Sequence, residues 1–146
     1  MKILFLDIDG VVNCKNTSQR HRGFIGIDPY MALLVNRIVE ATGAKVVLSS
    51  TWRVLEDCRN EVRSQVIDFM DVTPPSTYNK NTEHNSTRGE EIQAWLDENG
   101  YKVKKYAILD DDTDMLPEHL PNYFQTTWEV GLTEEISKKV IKHLNS

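Results

Sequence analysis

Residues 2–10, Lys2-Ile3-Leu4-Phe5-Leu6-Asp7-Ile8-Asp9-Gly10, decide the fold class of this 146-residue chain. Ile3–Leu6 is an unbroken apolar run, as expected of a central strand in a parallel sheet, where both faces are covered. The run stops at Asp7. The i, i+2 spacing sets the Asp7 and Asp9 carboxylates on one side of an extended chain, with Cα atoms about 6.5–7 Å apart. Gly10 then lets the chain turn away at once. Two carboxylates held this close repel unless something cationic lies between them.

Outward from this strand, apolar runs alternate with amphipathic helices, the pattern of an α/β fold whose parallel strands are joined by helical crossovers. Asp28-Pro29 reads as the cap and first residue of a helix with Met31, Leu34, Val35 and Ile38 on one face and Gly43 at its end. A second strand spans Ala44–Leu48. A helix is predicted from about Trp52 to Ser64, a short edge strand over Phe69–Thr73, and a polar loop over Ser76–Ser86. Thr87-Arg88-Gly89-Glu90 fits a capping box, so a helix begins at Arg88, buries Ile92, Trp95 and Leu96, and stops at Asn99-Gly100. Tyr106–Leu109 is the third strand and Tyr123–Thr127 an outer one. The last helix, Thr133–Leu144, carries Ile136, Val140 and Leu144 on one stripe. Residues 13–27 have no long period and read as a loop or small flap. Trp52, Trp95 and Trp128 read as packing residues.

Composition narrows the function classes. Hydrophobic residues at 40%, charged residues at 27%, and only 7 Gly and 5 Pro exclude a disordered, collagenous or low-complexity chain. The length suits one domain, residues 1–146. The longest apolar runs fall far short of the roughly 20 residues of a membrane span. Asp7 and Asp9 likewise cut short any signal-peptide core, so a soluble, cytoplasmic protein without a membrane partner is expected. Cys14 and Cys58 lack metal-ligand spacing and read as free thiols. A net charge of −5, from 17 Lys+Arg against 22 Asp+Glu, argues against nonspecific coating of nucleic acid but leaves room for a local basic groove.

Ligands of open α/β sheets gather outside the carboxyl ends of the strands, so the residues that stop each apolar run carry the information. Here they are Asp7 and Asp9, Ser49, and Asp110 and Asp111. The third strand adds more acids and no base, and a bound divalent cation reconciles them. All-oxygen ligands without clustered His or Cys favour Mg²⁺. Asp110-x-Asp112-x-Asp114 begins like a calcium loop, but Met115 stands where that loop needs Gly and Pro121 where it needs Glu.

The order of these motifs resembles the haloacid dehalogenase (HAD) superfamily of phosphatases. The matching segments are Asp7-Ile8-Asp9-Gly10-Val11, Val46-Val47-Leu48-Ser49, Arg88 opening a helix, and Ile108-Leu109-Asp110-Asp111. Within it, Leu48–Arg53 and Arg88–Ile92 are most similar to small HAD domains of nucleic-acid repair proteins, akin to the phosphatase half of polynucleotide kinase–phosphatases. The resemblance implies a three-layer sandwich with a mainly parallel, Rossmann-like sheet. The gaps after Asn13 and Arg53 leave no room for a large cap domain.

The resemblance also assigns roles. Asp7 would attack phosphorus and form an aspartyl-phosphate. Asp9 would act as general acid and base and offer its backbone carbonyl to the metal. Asp7 and Asp110 would supply metal carboxylates, with Asp111 a second ligand or an outer anchor of the site, and Asp114 steadying their loop. Ser49 would bind phosphate, with Ser50 the rival if the strand runs one residue longer. Arg88 would bind phosphate from a helix start, where charge, dipole and free N–H groups act together. Arg53 is a further phosphate candidate. Lys15, Arg20 and Arg22, with His21 among them, form a candidate contact surface for backbone phosphates.

The expected function is Mg²⁺-dependent phosphomonoester hydrolysis, first at a polynucleotide 3′ end, since an uncapped site suits a bulky substrate. A small-molecule nucleotidase, a phosphoprotein phosphatase and a noncatalytic phosphate- or nucleic-acid-binding module are the alternatives. A phosphoacceptor receiver domain is disfavoured because Ser49 stands in the second motif.

Overall fold

A computed structural model describes residues 1–65 and 67–146. In chain order its elements are β1 (Lys2–Leu6), β2 (Arg20–His21), β3 (Phe24–Ile25), α1 (Pro29–Thr42), β4 (Lys45–Leu48), α2 (Glu56–Ser64), β5 (Phe69–Val72), β6 (Tyr78–Asn79), β7 (His84–Asn85), α3 (Arg88–Asn99), β8 (Lys105–Asp110), β9 (Tyr123–Gln125) and α4 (Glu134–Leu144). The central sheet has the order β5-β4-β1-β8-β9 and is parallel throughout. Leu6 pairs with Leu48 on one side and with Leu109 on the other. The next residues, Asp7, Ser49 and Asp110, therefore leave three adjacent strands on one rung.

The side chains of β1 alternate between the two faces of the sheet, and all of Ile3–Leu6 is buried. Leu4 and Leu6 join a core with Met31, Leu34 and Ile38 of α1, Val62 of α2, and Val140 and Leu144 of α4. Ile3 and Phe5 face the opposite way, onto Ile92 and Trp95 of α3 and onto Met115. Trp95 meets Phe5 edge to face at 5.4 Å. Helices thus cover both faces, giving the expected three layers without a cap domain.

Local signals explain where the elements begin. The Asp28 carboxylate accepts from the Tyr30 and Met31 N–H groups, and Gly43 ends α1 at φ 71°. Thr87 and Glu90 close a reciprocal capping box on α3.

Four expectations need correction. The helix predicted from Trp52 to Ser64 is a 3-10 turn, Thr51–Arg53, followed by α2, because Leu55 is extended between them. Strands β5 and β9 end before Thr73 and Thr126, whose N–H groups bond to Leu48 and Asp110 carbonyls beyond the ladder. The loop at 76–86 folds into the antiparallel pair β6–β7. The flap is likewise an antiparallel hairpin, β2–β3, with Arg22 and Gly23 both at positive φ in its turn, as tight hairpins with matched twist require. Among the described residues no helix is long and apolar enough to cross a membrane.

Candidate active site

The site lies where β1, β4 and β8 end. Oxygen atoms of Asp7, Asp110 and Asp111 all lie within 4.8 Å of one another. Asp7 and Asp110 are buried, 4% and 0% exposed, so their mutual repulsion is weakly screened. Burial, then the neighbouring Asp110, pushes the Asp7 carboxyl well above the usual carboxylate range against the pull of Arg88. Burial likewise pushes Asp110 up to about 6, although Arg88 and the Asp112 N–H pull the other way.

Arg88 enters from the start of α3. Its Nη1 lies 2.6 Å from Asp110 Oδ2 and 3.2 Å from Asp7 Oδ1. Burial alone would lower its pKa, but Asp7, Asp110 and Asp112 outweigh burial and raise it. Arg88 is a permanent cation against the acid cluster. Asp114 accepts a 3.0 Å hydrogen bond from the Arg88 backbone N–H, which ties the acidic loop to the helix start. Gly89 makes that approach feasible: a Cβ there would sit 2.7–2.9 Å from backbone atoms of residues 114–116. Gly10 has φ +82°, and a Cβ on it would fall 2.2 Å from Asp111 Oδ2. The Asp111 carboxylate therefore rests directly over the glycine.

Asp9 is separate from this cluster. Its side chain is exposed, and both oxygens are held, Oδ1 by Asn13 Nδ2 at 2.9 Å and Oδ2 by the Trp52 indole N–H at 3.2 Å. Asn13 is fully buried and also accepts from the Gly10 N–H and donates to the Gly26 carbonyl, so it fixes the turn after β1.

The two serines separate cleanly. Ser50 Oγ accepts from the Trp52 N–H and caps the 3-10 turn. Ser49 Oγ is buried and without a hydrogen-bond partner at the end of β4, beside Asp7 in register. An orphaned buried hydroxyl is costly unless a ligand completes it.

The family of HAD domains in Swiss Army Knife RNA repair proteins matches residues 3–136. The chain belongs to that family. No curated protein and no solved structure matches it. The matched span takes in every site residue named above, and membership sets this HAD domain among phosphatase-type hydrolases. The donor set of the acid cluster, carboxylate oxygens on adjoining strand ends, suits the Mg²⁺ that HAD domains generally use.

Arg53 and three of the flap cations make contacts away from the acid cluster. Arg53, read as a phosphate ligand, is 5% exposed and donates to the Thr73, Ser49, Ser50 and Pro74 carbonyls and to Glu91 Oε1. Those five acceptors match its five N–H bonds, which makes it a brace and leaves no donor for phosphate. The basic flap is also largely spoken for. Arg22 Nε sits 3.0 Å from Asp57, His21 lies 3.5 Å from Asp57 and 3.7 Å from Glu61, and Arg20 Nη1 bonds to the Thr17 and Gln19 carbonyls. Lys15 alone of the flap cations remains exposed with no ion pair or side-chain hydrogen bond among the described residues.

Sequence reasoning missed Asn13, Glu91 and the indole of Trp52 as site supports. The Asn13 side chain reaches Asp9 four residues away, and its place just past the DxDG turn was a usable signal. Trp52 and Glu91 act across 43 and 38 residues, distances over which local pattern carries no information.

Proposed function

We propose that this HAD domain is a Mg²⁺-dependent phosphomonoester hydrolase, with a 3′-phosphorylated nucleic-acid end as substrate and the whole chain acting as one domain. The observation that carries it is the division of labour between two acids of one motif. Asp7 is buried against Arg88 and the other carboxylates, whereas Asp9 is exposed and oriented by neutral donors.

In the first step an Asp7 carboxylate oxygen forms a bond to phosphorus and the bond from phosphorus to the leaving oxygen breaks. Protonated Asp9 gives its proton to that oxygen. In the second step Asp9 takes a proton from water as the water oxygen bonds to phosphorus, the bond to Asp7 breaks, and phosphate leaves. Arg88 and the Ser49 hydroxyl supply positive charge and a hydrogen bond to phosphoryl oxygens. When bound by Asp7, Asp110, Asp111 and the Asp9 carbonyl, Mg²⁺ offsets the charge of nucleophile and phosphate. The RNA-repair setting of the family and the uncapped strand ends support a polymer end as substrate.

The test is phosphate release by the purified protein, with and without Mg²⁺, from oligonucleotides bearing 3′- or 5′-phosphate, free nucleotides and phosphopeptides. Asp7→Asn is expected to abolish release while the protein stays folded. Turnover persisting in Asp7→Asn, with deamidation excluded by mass spectrometry, would remove Asp7 as nucleophile. Activity on mononucleotides alone would remove the polymer end.

A further inference from the structure

A cleft of about 500 Å³ opens beside Asp9, within the roughly 300–1,000 Å³ typical of small-ligand sites. Its aromatic and apolar walls are His21, Phe24 and Ile25 from the flap, Trp52 and Leu55 from the segment after β4, and Trp128 from beyond β9, with Arg22, Thr51 and Cys58 completing the lining. Phe24 is 75% exposed, Leu55 51% and Trp128 37%, whereas the third tryptophan, Trp95, is in the core. The packing role read for Trp128 therefore gives way to a place on this open wall. His21 lies over Trp52 with ring centroids 5.4 Å apart and planes inclined by 31°. Large apolar side chains left exposed around one concavity mark a binding surface.

Building on the hydrolase reading, we propose that this cleft stacks the nucleobase of the terminal nucleoside, the leaving group of the reaction. Position decides it. The leaving oxygen must reach Asp9, so the group attached to that oxygen extends into the space that Asp9 borders. At a nucleic-acid end that group is a nucleoside, whose flat base matches aromatic walls. Of the flap's cations, Arg22 and His21 face Asp57 and Glu61, which leaves Lys15, among the described residues, as the one free to meet a neighbouring phosphate. Recognition here is by stacking, which tolerates any base because every base has a π face. The flap's contribution to base stacking is Phe24.

The experiment uses a 3′-phosphorylated ribo-oligonucleotide carrying 2-aminopurine at its last position, a twin that is abasic there, and full-length Asp7→Asn protein to prevent turnover. Stacking of the terminal base is expected to quench 2-aminopurine fluorescence, and the abasic twin is expected to bind about 5–150-fold more weakly, the worth of one stacked base. Phe24→Ala and Trp128→Ala, both at exposed side chains, should each shrink that ratio and the quenching. Equal affinities for the two oligonucleotides, no quenching, or an unchanged ratio in both variants would overturn the proposal. Phosphate release by the wild-type protein reports separately on the hydrolase reading. Quenching without release would sink the hydrolase and leave the base subsite standing, while equal release from base-bearing and abasic ends would do the reverse.

Discussion

The indole N–H of Trp52 donates to Asp9 Oδ2 across 3.2 Å, joining residues 43 positions apart. With Asn13 on the other oxygen, this bond keeps the Asp9 carboxylate turned from the acid cluster and toward the cleft. Trp52→Phe keeps an aromatic ring, though a smaller one, and deletes the donor. On an alkyl phosphate, which has no base to fill the cleft, it is expected to lower kcat about tenfold, the low end of a hydrogen bond to a charged group, with KM little changed. A Trp52→Phe protein with wild-type kcat on an alkyl phosphate would show that Asp9 needs no orienting donor there.

Asp9→Asn removes the proton donor itself and should cost about 10²–10⁴-fold. A good leaving group needs less protonation, so p-nitrophenyl phosphate should suffer less than an alkyl phosphate. Rapid-quench measurement of the phosphorylation step on both substrates checks this. Equal slowing of the two would mean that Asp9 does not protonate the leaving group.

The acid cluster makes stability depend on pH in a defined direction. Without metal, Asp110 holds its proton up to about pH 6, and Asp7 is shifted the same way. An unfolded Asp releases its proton near 3.9. Between those values the folded state binds more protons, so the cluster's contribution is fully present below about pH 4 and is lost as pH rises through about 6. Metal-free Asp110→Asn should therefore gain Tm relative to the wild type as pH increases from 4 to 7. Mg²⁺ should raise the wild-type Tm more at pH 7.5 than at pH 5, and the variant's Tm little at either. Identical Mg²⁺ shifts in both proteins would place the ion elsewhere.

Arg53 and Glu91 form a buried pair at 3.2 Å, 5% and 7% exposed, that locks the turn after β4 to α3. Removing one partner strands a charge, and such losses run to about 3–5 kcal/mol. Chemical denaturation of Glu91→Gln and Arg53→Met should show this scale of destabilisation, with the double variant less damaged than the sum. Strict additivity would mean that the pair is not coupled.

The order of strands and helices, the acids at the strand ends and the caps at Asp28 and Thr87 were legible in the sequence. Each rests on short-range physics. A fully covered parallel strand must be apolar throughout, a helix start must satisfy its free N–H groups, and a chain leaving a strand beside another carboxylate needs glycine. The sequence set Arg88 at a helix start and a serine, Ser49 or Ser50, just past a strand end; that Ser50 caps the 3-10 turn while Ser49 is left without a partner came only with the structure.

What the tertiary structure decided is which charges are free. Arg53 looks like a phosphate ligand in sequence, yet Glu91 and four carbonyls occupy it once the elements pack, and Arg22, read as a backbone-phosphate contact, has Asp57 beside it. Trp128 looks like core and is left on the rim of a cleft, while Trp52 is drawn in to hold Asp9. Periodicity reports which face of an element is apolar. It does not report which distant group arrives to consume a donor, because that depends on the packing of segments tens of residues apart.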